Sequence, residues 1–212
     1  MSGVMKPYIV RQGEYLAKLA FVHGFDAETV WGDAKNEDLK KLRPDPNILA
    51  PGDILYIPDK GEEPLAIEKG VENSYAAEVP KVEVTIVFRD LEGPLANEPF
   101  ELRGAVASGE PTTDADGKVT LTVAVTVSEV EILFPQRHES YLVRVGNMDP
   151  VAGASGVHKR LANLGYLHRQ PGISVGEMLP AALWSFQAEH EIEPTGTLDD
   201  ATRAALTEKH GR

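Results

Sequence analysis

Cysteine is absent from all 212 residues, which removes disulfide staples and thiol nucleophiles from consideration. That absence accords with synthesis in a reducing compartment and leaves later export open. Basic side chains are also scarce: 21 Lys and Arg stand against 33 Asp and Glu, a formal charge of -12. A chain so acidic is repelled by phosphate backbones, which argues against nucleic acid as a partner. No apolar run is long enough to span a bilayer, and the segment Met1-Ser2-Gly3-Val4-Met5-Lys6-Pro7 lacks the apolar core of a signal peptide. The expectation is synthesis in the cytoplasm without a signal peptide, so that any passage to the periplasm or the outside takes another route.

Catalytic signatures are missing as well. The histidines His23, His138, His158, His168, His190 and His210 form no His-Glu-x-x-His pair, so that zinc motif is not present. Asp114-Ala115-Asp116-Gly117 lacks the further ligands of a calcium loop and reads as a turn. His190 between Glu189 and Glu191 reads as a solvated helix face. Carboxylates are plentiful, and none is singled out as a glycosidase pair. The expectation is a non-enzyme with no cofactor and no metal.

What is present is ordinary globular composition, 42% hydrophobic and 25% charged, distributed unevenly. Residues 1–62 carry 8 basic and 10 acidic side chains, residues 63–150 carry 7 and 16, and residues 151–212 carry 6 and 7. Near-neutral ends around an acidic middle suggest a tripartite chain. With the local signals and resemblances that follow, the expectation is a multidomain α+β chain: a βααβ module over 6–59, a linker over 60–80, a small all-β sandwich over 81–146, and a three-helix bundle over 149–212.

Local signals fill in each part. Tyr8-Ile9-Val10 is β-prone and Gln12-Gly13 turns the chain. Leu16, Leu19, Ala20 and Phe21 keep helical spacing up to Gly24, and Asp26 is placed to cap a second helix with Thr29, Val30 and Trp31. A Pro-rich loop and Pro51-Gly52 then lead to a strand over Ile54-Leu55-Tyr56-Ile57. In the middle, Val82, Val84, Ile86 and Phe88 alternate, Phe100-Glu101-Leu102 follows, and Val119, Leu121 and Val123 alternate after the Asp114–Gly117 turn. Glu129 to Phe134 and Tyr141 to Val145 supply two more strands. In the last part, Ser155 is placed to cap a helix ending at Gly165, a second helix runs from Leu179 to His190 with Pro180 in its first turn, and Asp199 caps a third.

The run Asn36-Glu37-Asp38-Leu39, then Arg43-Pro44-Asp45-Pro46-Asn47-Ile48-Leu49-Ala50-Pro51-Gly52-Asp53, resembles the LysM family, in the variant found in accessory proteins encoded with type VI secretion spike components. The resemblance implies a groove for N-acetylglucosamine-containing glycans. Gly13, Glu14, Tyr15 and Leu16 would form one wall, and Asp45, Pro46, Asn47, Ile48 and Leu49 the other. The family usually has Gly-Asp-Ser/Thr where this chain has Gly13-Glu14-Tyr15. Leu91–Leu95 and Thr113–Gly117 together resemble transthyretin-like or carboxypeptidase-regulatory-like domains, a likeness that speaks to fold. Arg160–Tyr166, Ser185–Ala188 and Thr195–Thr202 resemble, in order, the three-helix peptidoglycan-binding domain that accompanies many cell-wall hydrolases. The chain departs from that family at Met178-Leu179-Pro180, where a Thr is usual.

Tyr166, His168 and Trp184 are the candidates for a glycan or stem-peptide contact in the last part. Tyr166 and His168 read as the exposed pair, Phe186 as core, and Trp184 fits either role. Together the resemblances imply a non-catalytic peptidoglycan- or glycan-binding accessory protein of a bacterial contractile injection, type VI secretion-like, apparatus, with a spike, tip or effector protein as a further partner. The alternatives are a protein–protein adaptor or chaperone for a spike or effector, and a wall-targeting subunit of a separate hydrolase.

Overall fold

The structure is a computed structural model and describes residues 4–59, 67, 69–72, 74, 78–90, 92–105, 111–167 and 174–210. Most of the expected linker lies outside these residues. The chain divides into two compact units, Met1–Val82 with Ala124–Thr126, and Glu83–Val123 with Val127–Arg212. The fold is mixed α+β, with six α-helices and small antiparallel sheets among the described residues.

In the first unit, β1 (Met5–Ile9) and β2 (Ile54–Pro58) pair antiparallel, with Ile9 opposite Ile54 and Met5 opposite Pro58. Between them lie α1 (Leu16–His23), α2 (Ala27–Trp31), a 3-10 turn (Ala34–Asn36) and α3 (Glu37–Leu42). Gly24 closes α1 at φ 70°, its N–H bonding the Ala20 carbonyl at 2.8 Å. The Asp26 carboxylate accepts the Thr29 N–H at 2.8 Å, as its capping position predicts. The sequence reading gave two helices; α3 is an addition. Its acidic first turn and basic last turn suit the helix dipole, and Leu39 turns into the core.

That core gathers Val10, Leu16, Leu19, Val30, Leu39, Leu49, Leu55 and Ile57. Asn36, with 0% exposure, is the polar tie through it. Its Nδ2 donates to the Val30 and Tyr56 carbonyls, each at 2.8 Å, and its Oδ1 accepts the Tyr56 N–H at 2.7 Å. A buried amide with its partners supplied fixes the helical layer against β2.

The remaining sheets pair β3 (Lys81–Val87) with β5 (Lys118–Ala124), and set β4 (Glu101–Arg103), β6 (Glu129–Phe134) and β7 (Glu139–Arg144) in the order β4-β6-β7, antiparallel. Alternation dictates burial: Val119, Leu121 and Val123 on β5, and Val130, Ile132 and Phe134 on β6, face inward. The Asp114 turn is closed by its own carboxylate. Its Oδ1 accepts the Asp116 and Lys118 N–H groups at 2.9 and 2.8 Å. Gly117 sits at φ 73°, and a Cβ there would lie 2.3 Å from the Phe88 carbonyl oxygen.

The three C-terminal helices are α4 (Ala154–Asn163), α5 (Val175–Glu189) and α6 (Asp200–His210). Two expected helix starts are corrected. Ser155 does not cap α4; Gly153 holds the N-cap position without a side-chain bond. α5 begins at Val175 rather than Leu179, because the Glu177 carboxylate accepts both the N–H and the hydroxyl of Ser174, at 2.8 and 2.5 Å. Pro180 therefore lies inside the helix. Asp199 does cap the third helix, accepting the Thr202 N–H at 2.7 Å. α4 ends in a Schellman turn: Tyr166 N–H bonds the Leu161 carbonyl at 2.8 Å and Gly165 N–H the Ala162 carbonyl at 3.1 Å. No helix among the described residues is long and apolar enough to cross a membrane.

Candidate functional site

Apolar spacing on α5 sends Ala182, Leu183 and Phe186 into a core with Val157, Leu161, Leu164 and Leu206. Phe186 is fully enclosed. The opposite face is left to solvent, and Trp184 stands on it at 52% exposure. Helical geometry sets exposed Ala181 at i−3 and exposed Ala188 at i+4 beside it. About half of the tryptophan's surface is open to solvent. A flat apolar ring in water is suited to the C–H face of a sugar, which has few better partners.

A loop that the sequence analysis took as part of the family resemblance, and not as site residues, packs against α5. Gln187 is completely buried, and its Nε2 donates to Thr195 Oγ1, the Thr197 carbonyl and Thr202 Oγ1 at 3.3, 2.8 and 2.9 Å. Its Oε1 accepts the Gly196 N–H at 2.8 Å. The carboxamide thus holds the turn from Thr195 to Thr197, whose two hydroxyls lie 2.9 Å apart. Gly196 rests against α5 closely enough that a Cβ would come within 3.0 Å of the Pro180 carbonyl oxygen. Gly196 thus meets α5 one helical turn before Trp184. The signal was a glutamine directly after a core phenylalanine, followed by Thr-Gly-Thr.

Tyr166 is not the exposed residue that the sequence reading made it. Its ring is half-buried, meets Phe186 edge to face at 5.3 Å, and carries the Arg89 guanidinium at 4.9 Å from its centroid. Its hydroxyl lies 3.2 Å from His190 Nε2. Burial pushes the phenol up to about 12. His168 lies outside the described residues.

In the first unit, the two walls expected of a LysM-like groove are bonded to each other. Leu16 N–H donates to the Pro46 carbonyl at 3.0 Å, and Ala17 N–H to Asn47 Oδ1 at 3.2 Å. Asn47, 30 residues away, so supplies the α1 cap that Tyr15 does not. Leu16 and Leu49 belong to the core and Tyr15 is only 2% exposed, so these three side chains are withdrawn from the surface expected of them. Apolar bulk at those positions is better satisfied inside. The Tyr15 hydroxyl is buried without a hydrogen-bond partner among the described residues, and burial raises its pKa.

Glu14 is also committed, accepting the Tyr8 hydroxyl at 2.8 and 3.0 Å and the Arg11 N–H at 2.8 Å. Asp45 accepts the Asn47 N–H at 2.8 Å, and the Gly13 carbonyl accepts Lys18 Nζ at 3.2 Å. Asn47 is exposed, and Gly13, Asp45, Pro46 and Ile48 are half-buried. Among the described residues, no group of three metal-ligating side chains gathers.

A family model for a peptidoglycan binding domain matches residues 155–206, which spans α4, α5 and most of α6. The C-terminal part of the chain is thus a helical domain of peptidoglycan-binding type. No curated protein and no solved structure matches the chain.

Proposed function

We propose that the chain is a non-catalytic peptidoglycan-binding accessory protein that makes its wall contact through the Trp184 face of the C-terminal domain. The observation that carries this is the family match at residues 155–206 falling on a three-helix domain whose solvent-facing helix displays an open indole. The sugar's C–H face would stack on Trp184, while the Thr195 and Thr197 hydroxyls bond to its acetamido or hydroxyl groups. The N-terminal module, through Asn47 and Ile48, adds a second and weaker grip, and two weak grips on one polymer reinforce each other. The LysM-like motif variant and the order of the modules support delivery by, or assembly into, a type VI secretion-like apparatus.

Retention of the purified chain on insoluble peptidoglycan tests this reading. Wild type should sediment with the wall, and Trp184→Ala should weaken retention about tenfold or more, the loss expected of a central aromatic anchor. If wild type stays in the supernatant, the proposal falls.

A second reading draws on the burial of Tyr15, Leu16 and Leu49. With so much of the expected groove absorbed into its own core, the N-terminal module would serve as a protein–protein adaptor to a spike, tip or effector. Wall retention indifferent to Asn47→Ala/Ile48→Ala, together with capture of a purified spike protein, would favour it.

A further inference from the structure

Arg89 follows directly on β3 and Phe88 and reaches the C-terminal helices inside the second unit. Its Nη1 donates to Glu189 Oε1 at 3.0 Å, while its Cζ lies over the Tyr166 ring, 4.9 Å from the centroid. Its stem runs over Gly165, where a Cβ would lie 2.8 Å from both Cγ and Cδ of Arg89. Val87, two residues earlier, packs against the helical core. Chain segments distant in sequence thus close on one side chain.

We infer that Arg89 is a clamp fastening the β-sheet region onto the Tyr166 face of the helical domain, so that this face already has an occupant from within the chain and is closed to ligand.

The residue types fit the task. A planar guanidinium can lay one face on a ring and donate from its edge at the same time, which an ammonium cannot. Gly165 serves twice: it takes φ 80° at the end of α4, and its missing side chain makes the space for the arginine stem. An exposed ion pair alone would hold little. Here the Arg89 side chain is 21% exposed and has the ring beneath it, so charge pairing and stacking act together. Burial raises the Tyr166 pKa, and the Arg89 cation opposes part of that rise. The inference does not depend on peptidoglycan binding, and its test uses no ligand.

Nitration of the full chain by tetranitromethane, read tyrosine by tyrosine by mass spectrometry, provides that test. Tyr141, 39% exposed, is the internal reference. In wild type, Tyr166 should react several-fold more slowly than Tyr141. Arg89→Ala should raise the Tyr166 rate several-fold, and Arg89→Lys should fail to restore protection. Each rate is compared after correction for the Tyr166 phenolate fraction titrated in the same variant. Glu189→Gln breaks the ion pair while leaving the arginine stem, should raise the corrected rate partway, and reads the same contact should Arg89→Ala not fold. Wild-type Tyr166 reacting as fast as Tyr141 would overturn the clamp. So would unchanged protection in a folded Arg89→Ala or, where that variant does not fold, in a folded Glu189→Gln.

Discussion

A methyl group added at position 156 would sit 2.0 Å from the Pro150 carbonyl oxygen and 2.6 Å from that of Asp149. Those atoms are backbone, pinned where Asp149 pairs with Lys159 at 2.7 Å and its carbonyl accepts Arg160 at 2.8 Å. The chain enters α4 along this path only because Gly156 has no side chain. Gly156→Ala is expected to cost about 2–4 kcal/mol, in the range of steric insertion into packed structure, measured as a lower urea midpoint at unchanged m-value. Asn36 makes the opposite case, where removal rather than addition does harm. Asn36→Ala leaves the Tyr56 N–H and the Val30 and Tyr56 carbonyls without these partners. About 2–4 kcal/mol of lost stability is the expected result, visible in the same denaturation experiment. Trp184→Ala belongs to neither class: an exposed ring contributes little to folding, so its effect should appear in wall retention with stability nearly unchanged.

At the scale of elements, the starts of α2, α5 and α6 are held by carboxylates. Asp26, Glu177 and Asp199 all have pKa values below the ordinary range, each through a hydrogen bond from its cap partner: Thr29, Ser174 and Thr202 respectively. A carboxyl whose folded pKa lies under its unfolded one adds stability above the unfolded value and loses it as pH falls through the folded one. Asp199→Asn should therefore lower the thermal midpoint at pH 7 and leave a shallower decline below about pH 4, as followed by circular dichroism. Equal slopes in wild type and variant would show that the cap of α6 does not titrate with folding. The same view explains why α5 begins where it does. A Ser-x-x-Glu arrangement with both bonds to one carboxylate oxygen outcompetes a start at Pro180, which has no N–H to be capped.

At the scale of the whole molecule, acid should act on the clamp. Burial holds His190 below the usual imidazole range. For Glu189, burial alone would raise its pKa, and the bonds from Arg89 and Tyr166 outweigh it to give a net lowering. The charges around His190 include Arg89, Glu189, Lys209 and Glu208. Both shifts have the same sign in stability: their contribution is present at neutral pH and lost on acidification, first as the histidine takes a proton and then as the carboxylate does. His190→Gln should flatten the fall in thermal midpoint between about pH 7 and 5, while leaving the steeper carboxylate loss at lower pH. A variant that tracks wild type throughout would remove His190 from the acid response.

Periodicity and turn chemistry were enough to place most strands and helices, because alternation on β5 and β6, the glycine after α1 and the Asp26 and Asp199 caps act through neighbours a few residues away. The peptidoglycan-binding character of the C-terminal part was legible for the same reason: its motifs are contiguous. What the sequence could not show was which large side chains remain at the surface. Tyr15, Leu16 and Leu49 stand in a run that resembles a ligand groove, yet packing drew them inward. Tyr166 was covered by Arg89, 77 positions away in the chain, and Gln187 revealed its purpose only once Thr195, Thr197 and Thr202 surrounded it. Local backbone preference is written in adjacent residues. Exposure is settled by contacts between distant ones, and only the folded chain brings those together.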